Sequence, residues 1–128
     1  MRHHINHLVL INKNSRTSIR KIYLWRKDLV IDRNLDTVVV GAGFAGMYCL
    51  YKQIQDGFNA EIFEKADDVG GTWYWNKYPG ARCDIESMDY SYSFSDELQQ
   101  EWNWKEKYGT QTEIFEYARF VSKKFNLR

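Results

Sequence analysis

Three glycines, Gly41, Gly43 and Gly46, and the carboxylate of Glu64 are the residues of this sequence whose spacing most directly implies chemistry. The glycines follow the β-branched run Val38–Val40 and open an apolar segment; Glu64 closes a second apolar run that begins at Ala60. Each has a mechanical job in holding a dinucleotide. Gly41 permits a tight turn out of a strand, Gly43 lets the backbone approach a pyrophosphate, and Gly46 lets a helix pack close to the strands. The start of that helix presents unpaired N–H groups and partial positive charge to phosphates. Glu64, about 20 residues further on, can accept hydrogen bonds from a ribose 2′-OH. It would repel a 2′-phosphate, so this first site is not expected to hold NADP. A lone Gly-x-Gly-x-x-Gly is weak, because glycine-rich turns are common; the strand before it, the helix after it and the later acid give it weight.

The elements that must position these residues are legible around them. Asp36–Val40 reads as a buried strand. Met47, Leu50, Tyr51 and Ile54 recur at helical spacing, which predicts a helix from about Phe44 to Gln55 with one apolar face. Gly57 ends it as a C-terminal glycine. Ala60–Glu64 is a second strand, and strand–helix–strand implies a right-handed parallel crossover. The expected fold class is therefore α/β, a partial Rossmann-like domain built on a parallel β-α-β core. Cys49, in mid-helix, reads as a small packed residue.

After Lys65 the character changes. Residues 66–84 carry a glycine pair, three consecutive aromatics and a Pro-Gly turn, without helix or strand periodicity. Loops this long in compact domains are functional or disordered. Trp73, Tyr74, Trp75 and Tyr78 favour an ordered, functional one. Glu86–Phe94 alternates with Met88, Tyr90, Tyr92 and Phe94 on one side, which predicts a short strand or extended segment. Residues 96–108 suggest one or two helical turns. Thr110 and Glu113 form a capping-box pattern that opens a last helix, about Gln111 to Phe125, with Ile114, Ala118, Val121 and Phe125 on one face.

Composition narrows the function classes. The 128 residues make at most one domain or a piece of one, with net charge +1 unevenly spread. Residues 1–35 carry eight Lys/Arg against Asp28 and Asp32, whereas residues 36–128 carry ten against fifteen acids. The mildly acidic body argues against a nucleic-acid partner. With only Cys49 and Cys83 there is no disulfide framework, which suits a reducing compartment such as the cytoplasm. No apolar run approaches the roughly 20 residues of a membrane span. Residues 1–35 read as a basic N-terminal extension, expected to be poorly ordered, and residues 36–128 as the domain proper. A targeting segment is an alternative for the extension. His3, His4 and His7 lack the fourth ligand and framework of a metal site, so no metal is expected.

The run FEKADDVGGTWYWNKYPGARCDIESMDYSYSF, taken with GAGFAG, resembles the N-terminal FAD-binding region of Baeyer–Villiger monooxygenases of the cyclohexanone and phenylacetone monooxygenase type. The resemblance covers about Asp36 to Arg128. It implies that Gly41, Gly43, Phe44, Ala45 and Gly46 form the pyrophosphate turn of FAD and that Glu64 binds the adenosine ribose. Thr72, Trp73, Tyr74 and Trp75 match the loop passing along the flavin. Asp84 and Tyr90 match positions near the isoalloxazine, and Arg82, Cys83 and Asp84 the side where NADPH docks. In that family NADPH reduces the flavin, O₂ adds to give a peroxyflavin, and a ketone becomes an ester or lactone. Asp84 then corresponds to the catalytic aspartate that orients a peroxide-stabilising arginine.

The sequence holds no second glycine fingerprint, and its histidines exclude the family's F-x-G-x-x-x-H-x-x-x-W signature. The expectation is a fragment truncated before the NADPH domain and inactive alone. Alternatives are another flavin monooxygenase acting on nitrogen or sulfur, and a non-catalytic FAD-binding module. A plain NAD-binding Rossmann domain gives no reason for the long aromatic loop. Structural readings also exist for single residues: Asp84 as a cap on the amides of 86–87, Arg82 as a surface partner of Asp84 or Glu86, and the aromatics as a core plug.

Overall fold

The structure, a computed structural model, describes residues 8–11, 19–23 and 30–128. His3, His4 and His7, at which no metal is expected, lie outside the described residues. The chain divides into two compact units, one through Lys65 and one spanning Ala66–Leu127.

The first unit contains strands β1 (Leu8–Ile11), β2 (Ile19–Tyr23), β3 (Val30–Leu35) and β4 (Thr37–Val40), helix α1 (Phe44–Gln55) and strand β5 (Ala60–Phe63). Three of these strands lie in the stretch expected to be an extension. β4 is the central strand of a sheet ordered β1-β4-β5, antiparallel to β1 and parallel to β5. In the parallel ladder Val38 faces Glu61, Val39 faces Ile62 and Val40 faces Phe63. β2 and β3 form a separate antiparallel ribbon. Val38, Val39 and Thr37 are fully buried. A β-branched run tolerates burial on both faces because parallel strands bury both. The one hydroxyl among them, on Thr37, donates to Gln53 Oε1 at 2.9 Å, which satisfies it.

Helix α1 spans the predicted residues, with Gly46, Met47 and Leu50 buried. Ile54 departs from the predicted apolar face: it is among the exposed large hydrophobics. It lies in the last turn, next to the exit at Gly57. There the Gly57 N–H donates to Ile54 O and the Phe58 N–H to Gln53 O, with Gly57 at φ +82°. This paired pattern is the Schellman termination that a glycine favours.

The second unit is built on α4 (Gln111–Lys124), with α2 (Thr72–Trp75), a 3-10 turn at Ser87–Tyr90 and α3 (Asp96–Glu101) preceding it. Ile114, Tyr117, Ala118 and Val121 of α4 are buried, as is Leu98 of α3. Rings of Trp102 and Trp104 lie 5.3 and 5.1 Å from Tyr117. Two sequence expectations change here. Within the 86–94 alternation, Ser87–Tyr90 form a 3-10 turn with Met88 exposed and extended residues at Glu86 and Ser91; Ser87 is buried, and its hydroxyl donates to Glu106 O. The capping box is half made. Thr110 Oγ1 accepts from the Glu113 N–H, but the Glu113 carboxylate turns to the Lys105 N–H at 2.7 Å. Thr110→Ala should therefore lower stability by about 1 kcal/mol, read from thermal or urea unfolding. An unchanged midpoint would show that the cap contributes nothing.

Candidate functional site

In the first unit the glycine turn has the geometry a phosphate cradle requires. Gly41 sits at φ +96°, a conformation that L side chains rarely adopt. Its N–H donates to Phe63 O at 2.7 Å, which carries the β4–β5 ladder up to the turn. A Cβ at Gly46 would lie 1.9 Å from the Gly41 carbonyl oxygen, so the helix packs on the turn at a distance only glycine allows. Gly43 is the N-cap of α1 with extended backbone. Its dihedral angles do not require glycine. No side chain caps α1, and no acidic residue stands in its first turn. Phe44 and Ala45 form that turn, Ala45 exposed and Phe44 half-buried.

Glu64 belongs to the same constellation. Its Oε2 accepts the Ala42 N–H, a contact across 22 residues of chain that joins the end of β5 to the glycine turn. The predicted ribose carboxylate and the predicted phosphate turn are thus neighbours. The sequence offered no sign that Glu64 would bond to the turn itself.

In the second unit the aromatic run is not a plain loop. Thr72–Trp75 form the short helix α2, entered through Gly71 and closed by the Asn76 side chain donating to Thr72 O. Trp73 is buried, Tyr74 half-buried, and Trp75 is 58% exposed. The glycine pair serves packing within this unit: a Cβ on Gly70 would meet the Phe115 ring at 2.9 Å. The ring of Trp73 stands edge-on to Tyr90 with centroids 5.5 Å apart. Two of the predicted residues, Trp73 and Tyr90, thus meet. Burial pushes the Tyr90 phenol up, the neighbouring Cys83 adds to that, a Trp73 hydrogen bond opposes it, and Asp84 raises it again. The Trp73 ring and Tyr90 pack together, and Cys83 and Asp84 act on the Tyr90 phenol electrostatically. Thr72 and Trp75 stay at the surface.

Arg82, Cys83 and Asp84 lie on a segment held against residues 109–111. The Cys83 N–H donates to Gly109 O, the Gln111 N–H donates to Ala81 O, and Arg82 bridges to Thr110. Cys83 is buried, whereas Arg82 and Asp84 are exposed. Arg82 pairs with Glu106 at 2.7 Å and donates to Tyr108 O, neither of them the partner its structural reading proposed. Such an exposed pair contributes roughly 0.2–1 kcal/mol, so it holds the guanidinium in place without committing it. The Asp84 carboxylate makes no hydrogen bond or ion pair among the described residues, and the Ser87 N–H goes to Lys107 O. Among the described residues no group of three metal-ligating side chains occurs, and no helix is long and apolar enough to cross a membrane.

Gly41 and Gly46 thus form a glycine turn in a β-α-β unit, with Glu64 bonded to the Ala42 N–H of that turn. The family profile of the NAD(P)-binding Rossmann-like domain matches residues 39–103, half of the chain. The chain belongs to that family. Within it, this Rossmann-like chain is similar to flavin monooxygenases. It is 46% identical over 99 residues to a Baeyer–Villiger monooxygenase of Pseudooceanicola batsensis, covering 77% of this chain and 18% of that protein. It is 48% identical over 89 residues to a phenazine N-monooxygenase of Lysobacter antibioticus, covering 69% of this chain and 16% of that one. The fold is similar to a solved oxidised steroid monooxygenase bound to NADP, at TM-score 0.69 and 59% identity over 71% of this chain and 17% of that one. The chain therefore spans less than a fifth of the length of the proteins it resembles.

Proposed function

We propose that residues 36–128 are the FAD-binding portion of an NADPH- and O₂-dependent monooxygenase that oxidises a small-molecule ketone to an ester or lactone. The observation that carries the FAD half of this reading is the glycine turn with Glu64 beside it. Gly41 adopts a left-handed conformation, Gly46 packs at a distance only glycine allows, and no side chain caps the α1 N-terminus. One solved relative, 40% identical over 71% of this chain, is a complex with FAD and NADP. When bound, FAD supplies two-electron oxidation–reduction chemistry and the activation of O₂; NADPH is the reductant, and the second oxygen atom leaves as water.

The chain's own groups have separable jobs. The turn of Gly41, Gly43 and Gly46, with Phe44 and Ala45, presents the N-terminal end of α1 to the pyrophosphate charge. Glu64 exchanges its bond to the Ala42 N–H for a ribose hydroxyl. Trp73, Tyr74 and Trp75 with Thr72 offer rigid apolar surface. Tyr90 and Cys83 back the segment that presents Arg82, as a cation for an anionic cofactor, and Asp84, as a carboxylate for a partner cation. Asp84 is the residue assigned a catalytic, orienting role. Two unpaired cysteines support a cytoplasmic setting.

Titration of the chain with FAD, followed by flavin fluorescence, tests the first half. Saturable binding is expected, weakened about tenfold by Glu64→Ala, the value of one charge-assisted hydrogen bond. Absence of saturable binding would sink the FAD reading. A second reading, N-oxidation, is supported by the identity to the phenazine N-monooxygenase. With the native protein and NADPH, an ester or lactone from a cyclic ketone supports the first reading. An N-oxide from an aromatic heterocycle, with no ester or lactone, supports the second.

A further inference from the structure

We propose that Gln111 is a positioning residue that ties the Trp73 turn and the Arg82–Asp84 segment to the first residue of α4. The two segments are separated in sequence and carry most of the candidate site residues of the second unit. Gln111 reaches both at once. Its backbone N–H donates to Ala81 O at 2.8 Å, and its side-chain Nε2 donates to the backbone carbonyl of Trp73, 38 residues away. The Cys83–Gly109 bond and the Arg82–Thr110 bridge continue the first attachment as a short antiparallel pairing.

The second attachment fixes the main chain from which the Trp73 ring leaves. That ring is the one set edge-on against Tyr90. Gln111 thereby controls the aromatic pair through one carbonyl and the Arg82–Asp84 pair through another. Its own backbone is fixed because it opens a helix whose Thr110 cap and buried Ile114 are in place. No sequence signal separates Gln111 from an ordinary polar residue at a helix start. It is assigned no contact with substrate or cofactor, so its role is positional. The consequence for a cofactor rests on the flavin reading above; the geometry does not.

The informative variant is Gln111→Glu, which keeps the shape but places a carboxylate oxygen where an N–H met the Trp73 carbonyl. Glu116→Gln, on the exposed side of the same helix, is the control. Amide hydrogen exchange, resolved over 72–76, 81–84 and 117–121, is the first readout. Exchange is expected to quicken roughly fivefold over 72–76, where the side-chain hydrogen bond is lost, with 81–84, held by the Gln111 backbone N–H, and 117–121 and the control unchanged. No change over 72–76, or an equal rise over 81–84, overturns the linkage. A rise through 117–121 as well makes Gln111 a folding residue and overturns it too.

FAD affinity is the second readout. With the exchange result as expected, a similar several-fold weakening in Gln111→Glu supports a role in the site, and unchanged affinity overturns that role. If the unmodified chain binds no FAD while the exchange pattern holds, the flavin reading fails and the tie between the two segments stands.

Discussion

Gly46→Ala is expected to cost the first unit about 3 kcal/mol or more, at the upper end of what inserting a methyl group into a packed site does. The added Cβ would stand 1.9 Å from the Gly41 carbonyl oxygen and 3.1 Å from its carbon. Neither is a flexible side chain that could swing aside. Gly41 is itself pinned, since its N–H bonds to Phe63 O and its φ of +96° suits no other residue. Relief therefore requires α1 to lift from β4, which exposes Met47 and Leu50. Domains of this kind have roughly 5–15 kcal/mol of stability in all, so such a loss is large. The comparison that isolates the cause is Gly57→Ala. There nothing lies within 4 Å of the new Cβ, and only the positive φ opposes it. That variant should lose about 1–2 kcal/mol, the cost of a left-handed residue with a side chain. Urea unfolding of both variants gives the answer. Equal losses would mean that close packing of α1 on the turn is not what selects glycine at 46.

Tyr117→Ala should destabilise the second unit by about 3–5 kcal/mol, the range for removing a large buried aromatic side chain. Tyr117 is 1% exposed and stands among the rings of Trp102, Trp104 and Tyr92. Its hydroxyl accepts the Tyr92 N–H at 2.8 Å. Burial pushes its phenol up, opposed by that backbone hydrogen bond, so the group stays a neutral phenol at ordinary pH. Tyr117→Phe separates the two contributions, because it keeps the ring and removes the acceptor. Its expected loss is about 1–3 kcal/mol, the range for leaving a buried donor without its partner. Near-ultraviolet circular dichroism of the tryptophans, recorded through thermal unfolding, reports both variants. If Tyr117→Phe were as damaging as Tyr117→Ala, the hydrogen bond and not ring packing would dominate this core.

The β-α-β unit and its glycine turn were set by the sequence, because both depend on interactions between residues near in the chain. A β-branched run, a glycine at each point of close approach and a period of 3.6 specify strand, turn and helix locally. Helix α1 accordingly begins and ends at the predicted residues, and α4 opens at the predicted Thr110 cap. The resemblance carried by the GGTWYWNKYPGARCD run also needed only sequence, and relatives of the same kind bear it out.

Tertiary structure decided what the side chains do once the elements meet. Glu64 turns to the Ala42 N–H, Glu113 leaves its expected box for Lys105, and Arg82 chooses Glu106. Each choice settles competition among partners that are distant in sequence, which no local pattern encodes. The same holds for Glu86–Phe94: its alternation reads as a strand, but no neighbouring strand pairs with it among the described residues. Ser87 is buried with its hydroxyl on the 106–107 carbonyls, and Ser87–Tyr90 form a 3-10 turn instead. Sequence determined where the backbone would turn and what type of ligand the glycine turn suits. Only the folded chain set Trp73 edge-on to Tyr90 and bonded the Trp73 and Ala81 carbonyls to Gln111, because these partners are distant in sequence.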